Sequence, residues 1–460
     1  MMDIDPRRAV RLHELLLGRR YRTRYRFTSG NDVRLFGSGA ALFGAMIERI
    51  DAATRDVALE TYIFRDDGMG SAVSAALVRA AARGVRVRVI TDGIGSPHTA
   101  LFDGWPTAGV EHRVYNPHIF GRFGFSRTHR KLAVIDDQYA YCGGINVIDD
   151  LEQDGRTLPF VRWDFAVELS GPVVVDVREV FEFQWSRIQL GYRPPVPRSA
   201  AVQPFPGVPA SAGLLSPHPT GHGTGRRARP VDDALRELAR AVPRGRAARI
   251  VERLRARLRA SVRDPRTARV PCVAFVARDN VVNRRTIERA YLDAIGAARD
   301  EVLLANPYFM PGRRLRRSLV EAAGRGITVR LLIGRKEFKL LDYAVPFLYH
   351  TLLSAGVHIA EYEKTMLHGK VAVVDSKWAT VGSSNLDALS LVLNNEANVV
   401  MVLHPQIQQL RDAILAAFSD ARPIDRARYE ARPVLERTVS WLAYSAYRAV
   451  MKLLTIGGYD

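Results

Sequence analysis

The sequence predicts an α/β protein built twice over, and two repetitions carry that expectation. The first is a motif. Residues 128–146, THRKLAVIDDQYAYCGGIN, place His129, Lys131, Asp136, Gly143 and Asn146 at the spacing at which His368, Lys370, Asp375, Gly382 and Asn385 recur, each 239 positions later. The second is the surrounding pattern: DVALETYIF at 56–64 parallels EVLLANPYF at 301–309, and LVRAAARGVRVRVI at 77–90 parallels LVEAAGRGITVRLLI at 319–333. Strands that alternate with helices imply a mostly parallel sheet with both faces covered. Two duplicated domains are therefore expected, not a duplicated motif alone.

Composition agrees with a globular chain: 460 residues are long enough for two or three domains, and 47% hydrophobic content is ample for buried cores. A net charge of +19 and a pI near 10.3 favour a polyanionic partner, either nucleic acid or an anionic bilayer. Cys142 and Cys272 form neither a metal-ligand spacing nor a disulfide framework, which suits a reducing compartment. The start, MMDIDPRRAVRLHELLLGRR, reads as neither a signal peptide nor a spanning helix, and no apolar run elsewhere is long enough to span. A cytoplasmic protein, in solution or peripheral on the membrane, is expected.

In chain order, 6–20 reads as a short basic helix and 33–36 as a strand ending in a turn at Gly37, Ser38 and Gly39. Next come a strand at 56–64, a helix at 70–83 stopped by Gly84, and strands at 85–91 and 110–115. The loop 117–127 mixes Ile119, Phe120, Phe123 and Phe125 with Arg122 and Arg127, a composition suited to a packed lid, to a lipid headgroup layer or to stacking on bases. The first motif occupies a strand pair, 131–135 and 140–143, where Gly143 and Gly144 are expected to let the backbone bend. A strand at 163–172 runs into a helix at 173–190.

The composition then changes. Residues 192–230 are rich in Pro, Gly and Ser and read as a linker, and 232–263 as an Arg-rich amphipathic helix with Ile250, Val251, Leu254, Leu258 and Val262 on one stripe. The second half follows, with helices at 340–355 and 405–419. Finally, 434–456 carries apolar residues around Arg448 and Lys452 and resembles an interfacial anchor. The expected divisions are 1–191, 192–270, 271–425 and 426–460.

The chemistry follows from the motif. A histidine and a lysine two apart share one face of a strand, so each pair points into one pocket. Two histidines, two lysines and two asparagines meeting across a pseudo-symmetric interface suit a phosphodiester. One neutral imidazole attacks phosphorus as a covalent nucleophile, and the other, protonated, serves the leaving oxygen. Lys131 and Lys370, with Asn146 and Asn385, are expected to hold the non-bridging oxygens, so neither a metal nor another cofactor is needed. Each imidazole needs a carboxylate on its other nitrogen. Glu396 is expected to orient His368, and Asp164 to orient His129. Asp136 and Asp375 sit at the far ends of their strands and read as structural.

At these residues the sequence resembles the phospholipase D superfamily. ETYIF, TDGIGSP, THRKLAVID with GGIN, NPYFMPG and LHGKVAVVDSKWATVGSSNLDALSLVLNNEAN are similar, within it, to the bacterial B-type cardiolipin synthases. The resemblance covers most of 30–190 and 275–420. It implies two α/β/α sandwich domains sharing one active site at the pseudo-two-fold interface. It also implies phosphatidyl transfer from one phosphatidylglycerol to another, giving cardiolipin and glycerol through a phosphohistidine, and it favours His129 as nucleophile. The family counts the motif aspartates, here Asp136 and Asp375, with the active site. Leu389 stands where many relatives carry Arg, and Gly144 stands where the second copy has Ser383. The implied partner is anionic phospholipid at the cytoplasmic face of the membrane, without an obligate protein partner. A phosphodiesterase acting on nucleic acid is the competing expectation from charge.

Overall fold

The computed structural model describes residues 25–118, 124–153, 156–190, 261–262, 268–280, 283–335 and 339–454. The expectations for 6–20, 119–123 and 192–230, and those for 232–260, lie outside the described residues. The first half comprises β1 (Phe27–Ser29), β2 (Asp32–Phe36), α1 (Gly39–Asp51), β3 (Asp56–Thr61), α2 (Gly68–Ala82), β4 (Arg86–Asp92), β5 (Val110–Tyr115), β6 (Leu132–Ile135), β7 (Tyr139–Gly143), β8 (Ala166–Ser170) and α3 (Val174–Leu190). The second comprises β9 (Cys272–Arg278), α4 (Thr286–Ala297), β10 (Glu301–Asn306), α5 (Arg313–Gly324), β11 (Thr328–Gly334), β12 (His358–Tyr362), β13 (Val371–Val374), β14 (Trp378–Gly382), β15 (Glu396–Val402), α6 (Gln406–Asp420) and α7 (Val434–Leu454).

The duplication extends to topology. One sheet runs β2-β8-β7-β6-β3-β4-β5, and the other contains the same seven-strand order as β9-β15-β14-β13-β10-β11-β12. Both are mixed sheets, not the mostly parallel ones expected. Only β3-β4-β5 and β10-β11-β12 pair in parallel, because the motif strands return as hairpins that need no crossover helix.

Local chemistry sets the ends of the helices. Ser38 caps α1 by accepting from Ala41 N at 3.3 Å, and Asp67 caps α2 by accepting from Gly70 N at 2.8 Å. The helices α2 and α5 stop alike. Gly84 and Gly326 take φ of 83° and 85°, and the next residues, Val85 and Ile327, donate back to Ala80 O and Ala322 O, closing a left-handed C-cap. The helix expected at 340–355 is broken by Pro346 into Lys339–Ala344, a 3-10 turn Val345–Leu348, and Tyr349–Ser354.

Both faces of each sheet are covered. Helices α1 and α2 pack one face of the first sheet through Leu42, Phe43, Met46, Val73 and Leu77. The inner faces of the two sheets share a single core, in which Leu132, Val134, Cys142 and Val167 meet Val371, Val373, Val381 and Val399, flanked by α3 and α6. Each such side chain contributes roughly 1.5–3 kcal/mol on burial. One segment crosses over: β1 pairs with β9 (Thr28 opposite Val273), so a strand from the first segment joins the second sheet. Ser261–Val262, expected to end the Arg-rich helix, form a short strand beside β1.

Candidate active site

The two motifs meet where the halves exchange backbone. His129 N donates to Asn395 O at 2.9 Å and Asn395 N to Arg127 O at 2.8 Å. On the other side Trp163 N donates to Met366 O at 2.9 Å, and His368 N returns to Trp163 O at 2.9 Å. Each histidine therefore lies beside the strand start that follows Asn395 or Trp163 in the opposite half.

That exchange overturns the expected pairing of carboxylates. Glu396 does not hold His368; its Oε2 lies 3.1 Å from His129 Nδ1. Asp164 does not hold His129; its Oδ2 lies 2.6 Å from His368 Nδ1. The pairs are crossed because residues 128 and 395, and 163 and 367, form bridges between halves, which places each carboxylate next to the other half's imidazole. With Nδ1–H donated to a carboxylate, Nε2 is the reactive nitrogen of both rings.

The carboxylates are buried, as are the lysines. Burial pushes the His129 imidazole down against the pull of Glu396, and pushes His368 down to about 4, with Lys370 adding to the effect. Both rings are neutral near pH 7. Burial raises Asp164 and Glu396, but the facing imidazole and the lysines outweigh it and hold both below the usual carboxylate range. Lys131 is brought down to about 7 by burial, which the Lys370 charge reinforces. Its Nζ donates to His129 O at 2.7 Å, and Lys370 Nζ donates to His368 O, so each lysine is tied to its own histidine's backbone. Asn146 and Asn385 are buried; Asn146 Oδ1 accepts from Ile63 N at 3.2 Å, which leaves the NH2 as its donor end.

Asp136 and Asp375 lie elsewhere. Asp136 accepts from the backbone N–H of Thr54, Arg55 and Asp56 at 2.9–3.0 Å, and Asp375 from Arg299, Asp300 and Glu301 at 2.8–3.0 Å. Both open their hairpin turns at φ 52° and are followed by a second positive φ, the turn geometry that Asp tolerates. They tie the hairpin to the start of β3 or β10 and touch no reacting group, so their grouping with the catalytic residues is corrected. The three N–H groups outweigh burial and hold Asp136 below its ordinary value.

The chain bends at Gly144 as expected, with no positive φ at either Gly143 or Gly144. They permit close approach: a Cβ on Gly143 would strike Ala166, and one on Gly144 would strike the Asp164 carboxylate. Where the second copy has Ser383, its hydroxyl donates to Glu396 Oε2, and its carbonyl stands 3.1 Å from His129 Nδ1. The shorter Asp needs a bare backbone; the longer Glu is met by a hydroxyl.

Several participants escaped the sequence reading. The Tyr62 ring stands edge-on to His129, with centroids 4.8 Å apart, and lies 5.3 Å from Lys131 Nζ. Arg130, between the motif His and Lys, reaches the other half, donating to Glu396 O at 3.3 Å and Arg278 O at 3.0 Å. Arg278, fully buried, donates to Val392 O and Asn394 O and so grips the turn before Glu396. The second copy has Gly369 where the first has Arg130, and a Cβ there would come within 2.8 Å of the Trp163 ring. For Arg130 and Gly369 the signal was position inside the repeat, because pseudo-equivalent positions with different residues mark broken symmetry.

Two sheets of one topology, joined by crossed imidazole–carboxylate pairs with a lysine beside each, define an enzyme of the phospholipase D superfamily. The model of the cardiolipin synthase phospholipase D-like domain matches residues 46–150 and 291–416. Cardiolipin synthase B of Escherichia coli (strain K12) is 34% identical over 429 residues, covering 91% of this chain and 88% of that one. Cardiolipin synthase of Clostridium perfringens (strain 13 / Type A) is 24% identical over 418 residues, covering 89% and 75%. The chain belongs to the family of cardiolipin synthases with phospholipase D-like domains. The crystal structure of phosphatidylserine synthase from Haemophilus influenzae Rd KW20 has the same fold, with a TM-score of 0.60 at 15% identity over 96% of this chain and 99% of that one.

Proposed function

We propose that the protein transfers a phosphatidyl group from one phosphatidylglycerol to the headgroup hydroxyl of another, giving cardiolipin and releasing glycerol. The observation that carries this reading is the pair of crossed dyads, two imidazoles each held at Nδ1 by a buried carboxylate of the other half. His129 Nε2 attacks phosphorus, and the P–O bond to the headgroup glycerol breaks as His368 Nε2–H gives its proton to the departing oxygen. The incoming phosphodiester brings negative charge, which raises His368 from its depressed value and lets it carry that proton. The 2.6 Å contact to Asp164 stabilises the imidazolium. Glycerol leaves. His368 Nε2 then takes the proton of the second headgroup's hydroxyl, whose oxygen attacks the phosphohistidine and frees His129.

Lys131, Lys370 and the amides of Asn146 and Asn385 hold the non-bridging oxygens as charge builds on them. Exchange of one phosphodiester for another is nearly isoenergetic, so no nucleotide is consumed. The protein acts peripherally at the cytoplasmic face of the membrane. No helix among the described residues is long and apolar enough to cross one. Purified protein in mixed micelles is expected to convert phosphatidylglycerol into cardiolipin and glycerol, followed by thin-layer chromatography. Phosphatidic acid as the sole product would refute the synthase reading, and preferential cleavage of DNA would favour a nuclease.

A further inference from the structure

Six exposed large apolar side chains lie on the loops around the site. Ile94, Phe125, Leu151, Phe160, Val161 and Leu389 are all exposed, Phe160 at 52% and Val161 at 44%. Every one lies on a loop that carries the site. Ile94 N donates to Asp92 Oδ1 at 2.9 Å, and Asp92 Oδ2 accepts from Thr128 N, the neighbour of His129. Phe125 precedes His129 by four residues, Leu151 follows Asn146 by five, and Leu389 opens the turn between Asn385 and Glu396. The carbonyls of Phe160 and Val161 accept from Thr365 Oγ1 at 3.2 and 3.0 Å, three residues before His368.

The second half continues this surface. Strands β10 and β11 are parallel, and Asn306 at the end of β10 accepts through Oδ1 from Leu386 N at 3.2 Å, beside Asn385. The short helices after β11 therefore stand at the site end of the sheet, and they expose Leu340, Tyr343 and Phe347. Helix α7 docks on them through buried Tyr444, stacked on Phe347 with centroids 4.5 Å apart. Its other face is bare: Val434 and Leu435 are 75% exposed, Leu453 80%, and Trp441 and Leu442 more than half, with Arg437 and Lys452 exposed among them.

We propose that the apolar rim of the site and the outer face of α7 form one docking surface for an anionic phospholipid bilayer, which holds the mouth of the site against the membrane. The inference rests on the phosphatidyl-transfer reading, because lipid substrates give a rim of this chemistry its purpose. Apolar side chains interspersed with basic ones on a surface-lying helix match the headgroup boundary, and continuity with the site lets a headgroup reach the histidines while its chains stay in the bilayer.

The test uses the full chain with vesicles containing phosphatidylglycerol and, separately, with phosphatidylglycerol bearing acyl chains short enough to stay monomeric. The double variants Phe160→Glu with Val161→Glu, and Leu442→Glu with Leu453→Glu, are each expected to lower vesicle sedimentation and vesicle turnover by about fivefold or more. Turnover of the monomeric lipid is expected to stay within about twofold of the parent. Vesicle binding and turnover like the parent's, or equal loss on both substrates, would overturn the proposal. Phe160→Ser with Val161→Ser, which introduces no charge, is expected to move vesicle binding in the same direction; no movement counts against the rim. A parent that sediments with vesicles yet makes no cardiolipin would remove the transfer reading and leave the docking surface standing.

Discussion

At the scale of residues, the site is set by which carboxylate faces which imidazole. Histidine NMR tests the crossed pairing directly. Asp164→Asn is expected to change the Nδ1 signal of His368 and leave that of His129, and Glu396→Gln to do the reverse. The opposite pattern would restore the within-half pairing. Each variant should lose about 10²–10⁴ in kcat, the range for removing the group that fixes an imidazole tautomer. Lys131 supplies the pH dependence. It is charged below about 7 in the free enzyme and neutral above, so kcat/KM is expected to fall as pH rises through that value. Lys131→Arg, which keeps its charge, should remove that fall even as it lowers the maximum, and a pH–rate profile reads both. The motif residues were legible because spacing alone repeats them. The pairing was not, since it depends on a backbone exchange between positions 267 and 204 residues apart, which no local period records.

At the scale of elements, many strand and helix positions follow from period and from the stop at Gly84, while α1 and α4 do not. The stripe Leu42, Phe43, Met46, Ile50 of α1 is present in the sequence, but the turn residues Gly37 to Gly39 stand directly before it and mask the helix start. The turn that delivers Glu396 to His129 depends on Arg278, whose guanidinium satisfies two carbonyls in a space closed to water. Arg278→Lys keeps the charge but not the fork. It is expected to lower kcat about tenfold with little change in KM, because the displaced group orients a histidine and does not bind lipid. Gly369→Ala tests the other half of the broken symmetry. Its Cβ meets the Trp163 ring at 2.8 Å, and Trp163 carries the carbonyl that receives His368 N. Activity should drop, and Trp163→Leu combined with Gly369→Ala should recover part of it.

At the scale of the whole molecule, duplication in sequence does not mean two independent domains. The inner faces of both sheets bury their valines in one core, β1 crosses from the first segment into the second sheet, and each half donates a carboxylate to the other's histidine. Neither half owns a finished site, and the core between the sheets belongs to both, so the sheets should unfold together. Val134→Ala and Val373→Ala, one in each half, each remove buried methyl groups from the same cluster and should cost about 1–3 kcal/mol. If the core is one unit, both variants lower the same calorimetric transition by about 1–4 °C, and the transition stays single. Two separated endotherms, with each variant moving only one, would instead mean that the halves fold alone and meet afterwards through the crossed pairs.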